Sequence, residues 1–161
     1  MLSFETMLVR LIVALVLGMC IGVERELVGK EAGMRTAMLV ASGAALFAMA
    51  GLVLPYIVAS DPALVSEVIA RNSGFLGLIA NVVVGIGFLG AGIIIKTQEH
   101  VHGLTTAAVV WMTAAIGVLA GIGLWQFAAA ATVIIVALLY MLRSVNLAAR
   151  VNARNNDNQS R

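Results

Sequence analysis

An uncharged stretch at residues 74–95 constrains the fold of this chain more than any other feature. A helix of that length crosses the hydrocarbon core of a bilayer. Its glycines at Gly85, Gly87 and Gly90 spell GxGxxG, a pattern that also occurs in dinucleotide-binding turns. That turn needs a strand before the glycines and a polar helix after them, whereas apolar sequence lies on both sides here. The stretch therefore predicts a transmembrane helix.

Small residues lie on more than one face of this predicted helix. Asn81, Gly85, Phe88 and Gly92 share one face by their spacing, and further small residues lie on the neighbouring one. Small residues let the backbones of neighbouring helices approach closely, so we expect this helix to be central in its bundle. The predicted helix-packing positions are Gly85, Gly87, Gly90 and Gly92.

The composition extends the membrane interpretation to the whole chain. Of 161 residues, 61% are hydrophobic and 11% are charged, against about 25% charged in a soluble domain. We predict an all-α bundle with transmembrane helices at 4–23, 36–59, 74–95, 104–122 and 124–142, and a short interfacial helix at 63–72. Residues 1–143 form the transmembrane domain in this scheme, and residues 144–161 form a polar, disordered cytoplasmic tail.

The orientation follows from the distribution of Lys and Arg, which are enriched in cytoplasmic loops. With Arg10 set aside as intramembrane, the N-terminal side carries only Arg71. The opposite side carries Arg25, Lys30, Arg35, Lys96, Arg143, Arg150, Arg154 and Arg161. We therefore predict an external N-terminus and a cytoplasmic C-terminus. The basic residues lie at helix ends and in the tail, which does not indicate nucleic-acid binding.

Two polar residues fall inside predicted membrane helices, Arg10 in the first and Asn81 in the third. Such residues usually face the protein interior, because exposing them to lipid costs free energy. The two lie at similar depths, so they can meet inside the bundle. Alternatively, Arg10 extends to the outer headgroups near Glu5, or it contacts an ion or ligand directly.

The predicted cytoplasmic ends of the first, second and fourth helices carry a polar cluster of Arg25, Arg35, Thr36, Thr105 and Thr106, with Glu24 and Glu26 beside it. Carboxylates and hydroxyls suit Mg²⁺, so Glu24 and Glu26 are candidate metal ligands. The acidic and basic residues of this loop also neutralise one another, which favours a salt-bridged structural cap. His100 and His102 alone are a weak metal signal. We expect no cofactor, with Mg²⁺ as the alternative if Glu24 and Glu26 bind a metal.

Several sequence words occur together in one family. They are GMCIGVERE at 18–26, GMRT at 33–36, GIGFLGAG at 85–92, GLTTAA at 103–108, Trp111 and AAIG at 114–117. On these words the chain resembles the magnesium-transport-associated MgtC/SapB family of bacterial inner-membrane proteins. It is most similar to the short SapB/YhiD-type branch, which has no soluble C-terminal regulatory domain. Where magnesium-associated members carry Gln before GIGFLGAG, this chain has Asn81.

The resemblance implies a multi-pass protein of the bacterial inner membrane with a regulatory or stress-adaptation role linked to magnesium limitation or acid stress. The alternative is a transporter or channel for Mg²⁺ or another cation. We expect no enzymatic activity, because no catalytic arrangement of side chains is visible at membrane depth. The expected partners are the lipid bilayer, other membrane proteins and further copies of this chain. The faces expected to hold copies together carry Gly18, Gly22, Gly117 and Gly121.

Overall fold

The computed structural model describes residues 2–59, 61–72, 74–97 and 100–159, and within them the chain forms six α-helices and a small hairpin. The helices are α1 (Phe4–Leu27), α2 (Met34–Val58), α3 (Val65–Asn72), α4 (Gly74–Ile93), α5 (Leu104–Ile122) and α6 (Trp125–Gln159). Between α4 and α5, β1 (Ile95–Lys96) pairs antiparallel with β2 (Val101–His102). The prediction of an all-α helical bundle is confirmed, with this hairpin as an addition.

The first two helices form a closely packed antiparallel hairpin. A β-carbon at Gly18 would lie 2.6 Å from the carbonyl oxygen of Ala37, and one at Gly22 would collide with the α-carbon of Met34. Gly29 turns the chain between the helices with a positive φ of 68°, a conformation that glycine adopts at little cost. Backbone contact between α1 and α2 therefore depends on these glycines.

The helices α2 and α5 run parallel and are packed just as closely. Gly117 lies directly on the backbone of Ala41, and a β-carbon at Gly121 would lie 2.6 Å from the carbonyl oxygen of Ala45. From the first of these contacts to the second, the chain advances by four residues on both helices, so the two helices run in the same direction. Because α2 contacts α1 on one side and α5 on the other, its alanines form the centre of the core. They are Ala37, Ala41, Ala44, Ala45 and Ala48.

The expectation that the third predicted span is central is wrong within a single chain. A β-carbon at Gly85, Gly87 or Gly92 would meet nothing within 4 Å. At Gly90 it would make only an ordinary contact, 3.7 Å from Cβ of Ala107. The helix α4 packs by one edge against α2 and α5, and its other faces are exposed. Small residues permit close packing, but the neighbouring helices approach α1, α2 and α5 instead.

Four helices are long and apolar enough to cross a membrane: α1, α2, α5 and α6 over 125–144. The helix α4 has 20 residues, and its described side chains, Gly77–Ile93, form a shorter apolar stretch than those four. All five predicted spans are therefore helical, whereas five membrane crossings are not confirmed.

The last helix extends well beyond its predicted end. We predicted a span ending near Leu142 and a disordered tail over 144–161, but α6 continues to Gln159. The sequence after Gly123 contains neither Gly nor Pro, the two residues that most disfavour helix interiors. Polarity marks where the chain leaves the apolar layer, and it does not by itself end a helix.

The connection between α2 and α4 follows its prediction. Asp61 accepts a hydrogen bond at 2.8 Å from the backbone N–H of Ala63, and a 3-10 turn over Pro62–Leu64 then leads into α3. A short helix was predicted over 63–72, and this part of the prediction is confirmed. Its Asp-Pro start is a typical turn and helix-initiation signal.

Candidate functional site

A buried arginine links the C-terminal end of α1 to the first turn of α5. The side chain of Arg25 is only 4% exposed, and its Nη2 donates a hydrogen bond at 3.3 Å to Oγ1 of buried Thr106. Arg25 lies in the last turn of α1, where a positive charge is favoured by the helix dipole. Two distant parts of the sequence thus meet around one guanidinium group.

Glu24 completes this group, which we call the polar node: Glu24, Arg25 and Thr106. Its Oε2 lies 3.8 Å from Nη1 of Arg25, close enough for charge attraction and too far for a hydrogen bond. Among the described residues, Glu24 Oε2 and Arg25 Nε are buried and have no hydrogen-bond partner. Leaving such groups unsatisfied costs free energy. The node therefore has one acceptor and one donor available for a further polar group.

Glu26 points away from the node and has a different partner. Its Oε2 accepts a hydrogen bond at 2.9 Å from the backbone N–H of Met34. That N–H belongs to the first turn of α2, whose N-cap residue, Gly33, has no side chain to satisfy it. A carboxylate at this position also complements the positive end of the helix dipole. Glu26 therefore caps α2 from the end of α1.

The predicted cytoplasmic cluster is thus brought together only in part. Arg25 and Thr106 meet in the polar node, as the shared membrane face suggested. Within the described parts of the chain, Arg35, Thr36 and Thr105 form no side-chain hydrogen bond or ion pair, and Arg35 and Thr105 are exposed. The sequence indicated which helix ends meet, but not which side chain at each end turns inward.

Magnesium binding by Glu24 and Glu26 remains a prediction. In the structure, their carboxylates serve separate purposes, one beside Arg25 and the other on the N-terminus of α2. Among the described residues, no group of three His, Cys, Asp or Glu side chains is placed to hold a metal ion. The rings of His100 and His102 are tilted by 30° with centroids 6.2 Å apart at the exposed hairpin, and two imidazoles alone rarely define a metal site.

At the opposite end of the bundle, Arg10 caps the C-terminus of α5. Its Nη1 donates a hydrogen bond at 2.8 Å to the carbonyl oxygen of Gly121. A β-carbon at Gly123 would lie 2.7 Å from Arg10 Nη2, so the missing side chain makes room for the guanidinium. The last carbonyls of a helix carry partial negative charge, which a cation stabilises. Arg10 is therefore paired inside the protein, with a backbone carbonyl.

Asn81 is not the partner of Arg10. It lies exposed on α4 and faces a groove of about 610 Å³ between α2 and α4. Five residues of α2 between Leu39 and Phe47 and five of α4 between Leu78 and Ile86 line the groove, and Asn81 is the only polar side chain among them. Arg10 lies at the end of α5, beside Gly121 and Gly123, whereas Asn81 lies beside the middle of α2, so the two side chains do not meet.

Comparison with known proteins gives the family. The family model described as "MgtC family" matches residues 11–147. Over 130 residues, the chain is 44% identical to "Protein MgtC" of Brucella abortus (strain 2308), covering 81% of this chain and 48% of that protein. Over 152 residues, it is 40% identical to "Protein MgtC" of Salmonella typhimurium (strain LT2), covering 94% of this chain and 58% of that protein.

The chain thus spans about half the length of the curated relatives that it matches. No solved structure matches it significantly. The matched region begins inside α1 and extends into α6, so it contains the polar node and the groove, and it starts one residue after Arg10. This chain is a membrane protein that belongs to the MgtC family.

Proposed function

We propose that this protein is a five-span bacterial inner-membrane protein with a regulatory or stress-adaptation role linked to magnesium limitation or acid stress. The supporting observation is the separation of its polar groups into two layers. The polar node lies at one end of the bundle and Arg10 at the other, with apolar side chains between them. Family membership supports the magnesium link.

The middle of the bundle contains no continuous polar path among the described side chains. Ala14, Ala45 and Ala120 pack together near Arg10, and Ile21 and Ile116 are fully buried closer to the node. The buried hydroxyls of this region donate hydrogen bonds to backbone carbonyls of their own helices. Their hydrogen bonds are Thr113 to the carbonyl of Val109, Thr132 to that of Ala128, and Ser42 to that of Leu39. An ion crossing this layer would find no ligands, and Arg10 would repel a cation.

Five crossings are supported by the chain direction. Because α2 and α5 run parallel, the chain must return from the end of α2 to the start of α5. The helix α4 makes this return, and its last residue, Ile93, lies against Gly103 just before α5. Its 20 residues span about 30 Å, the thickness of a bilayer core. The distribution of basic residues then places the polar node on the cytoplasmic side.

The alternative function is transport of Mg²⁺ or another cation. Its support is the Oε2 of Glu24, which has no hydrogen-bond partner, since a carboxylate oxygen is a preferred Mg²⁺ ligand. Transport would require the helices to open a path past the buried alanines and Arg10. We favour the regulatory role because the closed core provides no such path.

Two measurements test the proposal together. Proteoliposomes with an entrapped Mg²⁺ indicator should show the same flux as protein-free liposomes, with an ionophore as the positive control. A bacterial strain lacking the protein should grow poorly when Mg²⁺ is limiting or the medium is acidic, and the parent gene should restore growth. Saturable flux that disappears in Glu24→Gln would support transport instead. Normal growth of the deletion strain in both media would remove the link to magnesium and acid stress.

A further inference from the structure

We infer that the groove between α2 and α4 is the docking surface for a second copy of this chain, related to the first by a two-fold axis near Asn81. The inference uses only one part of the proposed function, the position of α4 within the bilayer. It also moves the predicted homo-oligomer contact to a different surface. Gly18, Gly22, Gly117 and Gly121, which were expected to hold copies together, are already in contact with α2 of the same chain.

The shape of the groove suits a helix. Each wall of the groove contributes one glycine to its lining, Gly43 of α2 and Gly85 of α4, and we call these two glycines the groove floor. A β-carbon at either would meet nothing within 4 Å. Glycines with open space on both sides of a groove let another helix backbone approach closely. The larger side chains of Leu39 and Phe47 also line it on the α2 side.

Asn81 indicates what kind of molecule fills the groove. Its amide carries two N–H donors and an acceptor oxygen, and the structure gives it no hydrogen bond within the chain. At bilayer depth, a lipid chain offers no partner for these groups, and polar residues there normally face protein. The occupant must therefore bring a hydrogen-bonding group to this depth.

A second copy meets this requirement with no additional component. An amide can both donate to and accept from an identical amide, so two Asn81 side chains satisfy each other across a two-fold axis. A two-fold interface uses the same surface on both subunits. The α4 helix of each copy would then lie in the groove of the other. This one contact would fill the groove and give Asn81 its hydrogen-bond partner.

The exposed surface of α6 differs in both respects. Its middle part exposes large apolar side chains, including Val133, Ile134 and Leu138, which are 48–68% exposed. Over residues 133–138, this surface has neither an amide nor a glycine, as expected for a surface covered by lipid. The contrast makes α6 the internal control for a test of the groove.

The first test measures mass in a mild detergent over a range of protein concentrations, with thermal melting to confirm folding. The parent is expected to dimerise. Gly85→Leu fills the groove floor and is expected to leave only monomer, whereas Gly87→Leu, on the opposite side of the same helix, is expected to dimerise like the parent. Asn81→Leu is expected to weaken dimerisation roughly 10-fold, the effect of losing about 1–2 kcal/mol of interhelical hydrogen bonding, and Asn81→Gln to retain more of the affinity.

A cross-linking test replaces the large groove-filling substitution by a smaller side chain at the edge of the lining. In a Cys20→Ala background, Leu78→Cys, one turn from Asn81, should form a disulfide between copies in native membranes. Val133→Cys on α6 should not. A parent that is monomeric at every concentration and not cross-linked through Leu78→Cys would show that lipid fills the groove. A Gly85→Leu variant that dimerises like the parent, or a different protein held in the groove, would equally overturn the inference.

Discussion

Two groups of glycines in this bundle look alike in the sequence and differ in their surroundings. The core glycines of α1 and α5 lie against α2 so closely that a β-carbon would collide with it, whereas the α4 glycines have open space around them. The core glycines are Gly18, Gly22, Gly117 and Gly121, and the α4 glycines are Gly85, Gly87 and Gly92. The density of a glycine motif therefore does not identify the central helix.

The difference comes from the facing helix. Both sides of α2 carry alanines, such as Ala37 and Ala41, that leave room for the backbone of another helix. The larger apolar side chains of α4, including Val84 and Phe88, are 72% and 85% exposed. Close packing of helices requires small residues on both partners. The comparison leads to predictions about which substitutions each region tolerates.

The largest effect is expected from Gly117→Leu, because the new side chain would overlap the backbone of Ala41. Forcing α2 and α5 apart should lower the free energy of unfolding by about 3 kcal/mol. Gly87→Leu, which enters open space, should change it by less than about 0.5 kcal/mol. Accumulation in membranes and melting in detergent measure both variants. If the two melted alike, the distinction between the core and α4 would be lost.

The helices themselves were largely predictable from the sequence, because their apolar lengths and end signals are local. Asp61-Pro62 marked the start of α3, and the glycines at 121 and 123 marked the turn between α5 and α6. The position of α4 was not predictable in this way. Lipid and protein interior are both apolar, so hydropathy does not separate a helix surrounded by protein from one that faces lipid.

The same limit applies to the candidate site. Charge counting correctly indicated that the ends of α1 and α5 share one face of the bundle, and Arg25 and Thr106 meet there. The inward orientation of Arg25 rather than Arg35 depends on the rotation of each helix about its axis, and the local sequence is polar at both positions. The Gly121-Ile122-Gly123 turn was the signal that could have identified a partner for Arg10, since helix C-termini bind cations.

The second prediction compares the buried arginine with the exposed one. Arg25→Ala removes the charge beside the buried Glu24 carboxylate and should lower the free energy of unfolding by about 2 kcal/mol. Arg35→Ala should have little effect, because this side chain is exposed and has no ion-pair partner in the described chain. Denaturant or thermal unfolding at neutral pH measures the difference. Similar losses for both variants would show that Arg35 also belongs to the node.

At the other end of the core, Arg10→Met removes the cation from the C-terminus of α5. The loss of its hydrogen bond to Gly121 and of the dipole interaction should cost about 1 kcal/mol. Arg10→Lys keeps the charge and should recover part of that loss. Hydrogen exchange of the amides at 121–124 should increase in Arg10→Met and not at the start of α5. A uniform increase along α5 would contradict a local capping role.

An effect of similar size concerns the cap on α2. Glu26→Ala leaves the N–H of Met34 without its acceptor and should lower the free energy of unfolding by about 1 kcal/mol. Glu26→Gln keeps an acceptor oxygen and should lose less, and neither loss should depend on Mg²⁺. If Glu26 instead binds Mg²⁺, the parent should melt at a higher temperature with the ion, and Glu26→Gln should abolish that gain. Because the carboxylate already accepts a backbone hydrogen bond at 2.9 Å, we expect the Mg²⁺-independent result.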